Sequence, residues 1–363
     1  MRPMRRIRLE GDAKQRGEAH AERFGDEIRR YAEERVRLAS NGSWAGRPAT
    51  RDDVLRLADA TLPAHRAYDP DLCDEMIALG RAIDLSPAEM VIVGGFTDFV
   101  DLVRGEAGDA PEEDDCTAVL VPEAASGGRG FLAQTWDMHD SATEYVVMLE
   151  VRPASDPAAL VFSTVGCLGQ IGMNEAGIAV GINNLTAARG QRGVTWPLVV
   201  RKALKQTRLE DALHCVVEAD LAGAHNYLLL DAEGRGYNVE AMPGCTRVEA
   251  LEDAPLVHTN HCIDPMAARH QAEKAEPLME SSIQRLQRGR ELCEARPLDF
   301  ERLVALTRDP GVCQRAAPPF HIESSGAAIM RPATGDLWAV WGIPADQEYE
   351  RMRFDDPLQA AAG

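Results

Sequence analysis

No run in the 363 residues approaches the roughly 18 consecutive apolar positions that a membrane-spanning helix needs. Positive charge is also in short supply. Lys and Arg number 39 against 58 Asp and Glu, a net charge of −19, which argues against nucleic acid or an anionic membrane surface as partner. The opening "MRPMRRIRLEGDAKQRG" has charge but no apolar core of the secretory kind, so the expected location is the cytoplasm. The eight cysteines form no C-x-x-C pair, and without a secretory signal they are expected to be reduced thiols, mostly buried. Gly-rich phosphate loops, a G-x-S-x-G elbow, internal repeats and low-complexity tracts are all missing.

What is there reads as a soluble globular chain with 45% apolar residues, long enough for one large domain or two ordinary ones. Residues 1–105 look mainly helical. "DAKQRGEAHAERFGDEIRRYAEERVRLA" mixes Ala, Glu and Arg at helical spacing, and "SPAEMVIVGGF" begins with a capping box of Ser86 and Glu89. After residue 115 the texture changes to short runs rich in Val, Leu, Phe and Thr. These include "CTAVLVPE", "GFLAQTWD", "YVVMLEVRP" and "ALVFSTVG", spaced by Gly, Pro and Ser as in an antiparallel sheet. Further strands are expected in "MNEAGIAVGINNL", in "HNYLLLDAEGRGYNVEA" and in the closing hairpin "AAIMRPATGDLWAVWG", with helices at 197–219 and 281–295.

The two textures meet at "GDAPEEDDCTAVLV". Six acids lie from Glu106 to Asp115 with no base among them, and residues 105–115 read as an exposed acidic linker. Cys116 follows at once, at the start of an apolar strand. If the bond before it were cut, Cys116 would carry both a thiol and a free α-amine. The amine's ordinary pKa of about 7.7–8.0 lets it serve as a base near neutral pH, and the thiol is intrinsically nucleophilic. The plainer alternative is a cysteine packed at a strand start as a small hydrophobe.

Several segments, in order, resemble the acyl-coenzyme A:6-aminopenicillanate acyltransferase family of N-terminal-nucleophile hydrolases, and more distantly the choloylglycine hydrolases. They are "GDAKQRGEAHAERFGDEI", with Ala21 where the family's G-x5-G-x3-G pattern has its last Gly, then "DDCTAVLV", "LAQTWDMH", "GQIGMNEAGIAVGINNL", "VHTNHC" and "YERMRFD". The likeness spans most of the chain. It implies an α+β fold, a four-layer αββα sandwich. It also implies self-cleavage between Asp115 and Cys116, giving a helical N-terminal segment, 1–115, and a core, 116–363, that stay associated.

The same resemblance implies the site. Cys116 would be the nucleophile, Asp137 the partner of its new α-amine, Asn260 a donor to the oxyanion, and Asn183, next to Asn184, a second site asparagine. Gln134, Trp136 and His258 would touch substrate. Gln134 stands where some relatives have Arg, which draws the chain toward the penicillin acyltransferase branch. Two departures stand out: Asp115 replaces a Gly before the nucleophile, and "FHIESSGAAIM" offers no Arg to hold a substrate carboxylate. No cofactor is implied, and the H-x-x-H of His258 and His261 lacks a carboxylate at helical spacing that would make it a metal site. The expected activity is amide hydrolysis through a thioester on an N-acyl amide. The alternatives are acyl-CoA-dependent N-acyl transfer and an uncleaved binding protein of the same fold.

Overall fold

A computed structural model describes residues 3–42, 46, 48–105, 116–318, 321–354 and 356. The acidic linker from 106 onward, with Asp115 and so the upstream half of the expected cleavage site, lies outside them. The chain starts with β1 (Arg6–Gly11) and continues through helices α1 (Ala13–Asn41), α2 (Arg51–Asp59), α3 (Leu62–Tyr68), α4 (Pro70–Ala82), α5 (Pro87–Gly94) and α6 (Phe96–Gly105). Asp12 and Gln15 form a capping box at α1, and the expected Ser86–Glu89 box opens α5. Gly17 lets α1 lie against α4, since a Cβ there would fall 2.5 Å from the Glu75 carbonyl oxygen.

From Cys116 the elements are β2 (Cys116–Val121), α7 (Glu123–Ser126), β3 (Phe131–His139), β4 (Val146–Pro153), β5 (Ala159–Thr164), β6 (Ile171–Asn174) and β7 (Ala179–Leu185). Then come α8 (Trp196–Ala203), α9 (Leu209–Val217), β8 (Ala224–Leu230), β9 (Gly236–Met242), β10 (Cys245–Ala250) and β11 (Leu256–His258). The chain closes with α10 (Glu276–Leu292), α11 (Phe300–Arg308), β12 (Ile322–Arg331), β13 (Asp336–Trp341) and β14 (Glu350–Met352). The single helix expected over 197–219 is two. The Asn174 side-chain amide takes the carbonyls of Leu204 and Gln206 at 2.9 and 2.7 Å, so they are not available to continue α8.

Among the described residues the strands make two sheets, one ordered β1-β4-β5-β6-β7-β8-β9-β10 and the other β11-β2-β3-β12-β13-β14. All pairings are antiparallel except β1 with β4. That exception was not legible as a strand in the sequence, and it ties the N-terminal segment into the larger sheet. The two sheets face each other through β2 and β3 against β7 and β8. Helices α1 and α9 cover the larger sheet, and α10 and α11 the smaller, which gives the four-layer αββα arrangement. Strand β2 shows the period of two plainly. Cys116, Ala118 and Leu120 join the core between the sheets, while Val119 and Val121 join the one under α10 and α11. The apolar cluster that holds Cys116, Ala118 and Leu120 continues through the larger sheet to residues of α1, α2, α4, α5 and α6, so the two expected segments share one apolar interior. No helix among the described residues is long and apolar enough to cross a membrane.

Candidate active site

Cys116 opens β2 opposite Trp136 of β3, 5% exposed. Its Sγ lies 3.5 Å from the Asp137 backbone nitrogen and 3.7 Å from the Asp137 carbonyl oxygen. Strand β12 holds Asp137 from its other side. Its register against β3 slips between Ser324 and Gly326, so Ser325 is an extra residue in a bulge. Ser324 thereby comes opposite Asp137, and its hydroxyl donates to Asp137 Oδ1 at 2.6 Å. Gly326 must be small, because a Cβ would meet the Phe162 ring at 2.5 Å.

Asn260 follows β11, the strand paired with β2. It is fully buried, and its amide orientation is set by its partners. Oδ1 accepts from the Cys116 backbone N–H at 2.6 Å and from Arg285 Nη2 at 3.1 Å. Nδ2 directs one hydrogen at the Asn184 carbonyl, 3.0 Å away. Arg285, 1% exposed on α10, also donates Nη1 to the Cys116 carbonyl at 2.6 Å and to Thr117 Oγ1 at 3.2 Å. A buried guanidinium thus grips both the nucleophile candidate's residue and Asn260.

The loop carrying Asn260 is held from the facing sheet. Glu240 of β9 sits 2.9 Å from His258 Nε2 and accepts the backbone N–H groups of Ile263 and Asp264. His258 Nδ1 lies 2.7 Å from the Thr259 carbonyl. Ser282 of α10 accepts the Asn260 N–H at 2.9 Å and approaches His261 Nδ1 at 2.7 Å. Burial holds the His261 ring down at a pKa of about 4, so it is neutral.

A cleft of about 20 Å³ beside Cys116, room for one water molecule, is lined by Trp136, Asp137, Met138 and Ile322 of the smaller sheet. Ile182, Asn184, Trp196 and His225 line it from the larger sheet and α8, and Thr97 lines it from α6. Cys116, Asp137, Asn260 and Trp136 are therefore gathered in one place, and three other expectations need correcting. Both atoms of the Gln134 amide are spent on the backbone of Ile182, accepting at 2.8 Å and donating to its carbonyl. Gln134 ties the sheets together and does not reach the cleft. His258 has both ring nitrogens engaged by Glu240 and Thr259, so it supports the loop and does not face substrate. Asn183 is fully buried, one strand position after Ile182 on β7. Both its amide atoms lack partners among the described residues, and it is the adjacent Asn184 that lines the cleft.

Arg285, Ser324, Glu240, Trp196 and His225 were missed. For Arg285 a signal existed, because it falls within the buried stripe Leu278, Ser282, Leu286 and Gly289 of α10, where a charge has no place without a task. For Ser324 none existed, because a bulge is not written in local composition.

Comparison with known proteins supplies the family. The model described as acyl-coenzyme A:6-aminopenicillanic acid acyl-transferase matches residues 124–313, a span that contains Asp137, Asn260 and Arg285 and begins just after Cys116. The acyl-coenzyme A:6-aminopenicillanic-acid-acyltransferase 40 kDa form of Emericella nidulans is 26% identical over 200 residues, 53% of this chain and 52% of that protein. The chain thus spans about half the length of the curated relative it matches. Among solved structures, a mutant conjugated bile acid hydrolase from Clostridium perfringens aligns with a TM-score of 0.47 at 10% identity, over 66% of this chain and 96% of that one. Penicillin V acylase from Agrobacterium tumefaciens aligns with a TM-score of 0.41 at 12% identity, over 62% and 82%.

Proposed function

Because the chain belongs to the acyl-coenzyme A:6-aminopenicillanic acid acyl-transferase family, we propose that it is a self-processing cysteine N-terminal-nucleophile hydrolase acting on a linear amide. The observation that carries this reading is the single buried network joining Cys116, Asn260 and Arg285. In processing, the Cys116 thiol attacks the carbonyl carbon of Asp115. The Asp115–Cys116 C–N bond breaks as the acyl group moves to sulfur. Water then hydrolyses that thioester, leaving a carboxylate on Asp115 and a free α-amine and thiol on Cys116.

In turnover the α-amine takes the thiol proton, and sulfur adds to the substrate's amide carbonyl. The Asn260 amide donates to the oxyanion. The intermediate collapses to a thioester on Cys116, and the proton leaves with the departing amine. Water then releases the acid. Asp137, fixed by Ser324, orients the α-amine, while Arg285 positions Cys116 and Asn260. Water is the acceptor we favour. Transfer from acyl-CoA to an amine uses the same thioester and is the alternative.

The test is intact mass and trapping. Fragments of 115 and 248 residues and an acyl adduct on Cys116 from a panel of N-acyl amides and acyl-CoA donors are expected. A single full-length chain with no adduct from any of them would leave only the uncleaved binding protein.

A further inference from the structure

The cleft has a second wall that the proposed chemistry does not use. Asp98 of α6, 1% exposed, organises it. Its Oδ2 accepts the Trp196 backbone N–H at 2.7 Å, and its Oδ1 lies 2.9 Å from His225 Nδ1 without the alignment of a hydrogen bond. Thr97 Oγ1 sits 3.3 Å from His225 Nε2, and the Trp196 and His225 rings lie 5.4 Å apart. Thr97, Trp196 and His225 all line the space beside Cys116 and are all at least nine-tenths buried. Trp196 Nε1, a donor with no acceptor capacity, is buried with no partner among the described residues. Across the same cleft, Asn184 Oδ1 is likewise buried and unpartnered.

A buried, unmatched donor on a residue that lines a reactive cleft is costly unless a ligand meets it. We infer that the wall formed by Thr97, Trp196 and His225 is the acyl subsite, and that Trp196 Nε1 selects acyl groups carrying a hydrogen-bond acceptor, such as an ether or carbonyl oxygen, on an otherwise apolar chain. This rests on Cys116 being the nucleophile. The acyl half belongs at this enclosed end because it stays on sulfur through the cycle, whereas the amine must leave and water must enter. Those pass by the other side, where Met138 and Asn184 are half-buried. The space is about 20 Å³ in this structure, so an acyl chain enters only as the unbranched, flexible Met138 side chain, which also lines it, moves aside. Trp136, Ile182 and Ile322 supply the apolar surface. Because Thr97 and Asp98 precede the cut, the subsite is built jointly by both fragments.

The experiment compares kcat/KM for hexanoyl p-nitroanilide with that for its oxa analogues, in which one methylene is replaced by an ether oxygen. The processed protein should prefer one oxa isomer over hexanoyl by roughly tenfold, the worth of one hydrogen bond. Trp196→Phe, which keeps a ring and removes the N–H, should erase that preference. Asp98→Asn, which loosens the same wall, should reduce it. Should Trp196→Phe not fold, Asp98→Asn decides alone. A preference left intact in the folded variants, or no preference in the wild type, overturns the subsite. If Cys116→Ala still hydrolyses these anilides, the nucleophile assignment fails instead. A Cys116 thioester that forms while the oxa preference stays intact in Trp196→Phe sinks only the subsite.

Discussion

Cys116, Asn260 and Arg285 form one hydrogen-bonded unit, so each substitution within it reads out a different function. Asn260→Ala removes the candidate oxyanion donor and should lower kcat by about 10²–10³, measured as steady-state hydrolysis by processed protein. A loss below about threefold would take Asn260 out of the chemistry. Arg285→Lys keeps the charge but loses the planar fork that spans the Cys116 carbonyl and Asn260 Oδ1. It should slow both processing and turnover, while a thermal melt shows the protein still folded. Ser324→Ala removes the hydroxyl that donates to Asp137 Oδ1. A pH–rate profile with a displaced acidic limb is the expected signature, since the carboxylate proposed to orient the α-amine then sits in a different electrostatic setting. An unmoved profile would make Ser324 a packing residue only.

At the level of elements, the site depends on a loop strapped across two sheets. Glu240 on β9 grips the residues on either side of Asn260 through His258, Ile263 and Asp264. Glu240→Gln keeps the size and one acceptor but cannot satisfy the same three donors. It should lower kcat more than it raises KM, because Asn260 is misplaced while the acyl wall is untouched. Equal changes in both would point to general loosening. These elements also show what the sequence could disclose. β2, β3 and the hairpin of β12 and β13 announce themselves as short apolar runs closed by turns such as Thr334–Gly335, α1 by helical spacing and α5 by its capping box. Strand β1 escaped because it is short, charged and parallel, with "RIRLEG" paired to a strand that begins only at Val146. That Cys116, Asp137 and Asn260 lie together was legible through motif order. Gln134 and His258 were misjudged because a motif names residues without saying which hydrogen bonds consume their side chains. Trp196 and His225 reach the cleft only through the packing of α6 on α8 and β8, a long-range fact no local window contains.

For the molecule as a whole, His20 links α1 to the core: Gly166 donates its N–H to His20 Nε2 at 3.2 Å, which requires a neutral ring. Burial holds that ring's pKa at about 4, against 6.5 when unfolded. The unfolded chain therefore binds more protons between these values, and stability present above pH 6.5 is lost as the pH falls toward 4, by up to about 3 kcal/mol. Asp101 opposes this in part. Burial raises its pKa to about 6, so its contribution is present below 3.8 and lost as the pH rises through 6. His20→Gln should flatten the dependence of urea midpoint on pH between 6.5 and 4. An unchanged slope would show that His20 does not carry it. The ties between the two segments have a further outcome once the bond at Cys116 is cut. Strand β1 lies within the larger sheet, and Glu75 of α4 bridges Arg16 of α1 and Arg201 of α8 at 2.7 and 3.3 Å. Synthesis delivers these surfaces already joined, in equal number and at no cost in encounter. Denaturation of the processed protein would release two strangers, and their reunion would become a second-order event. Refolding yield should then rise with protein concentration for the processed form, while uncut Cys116→Ala, a single chain with the same interior, regains its structure at a rate indifferent to dilution.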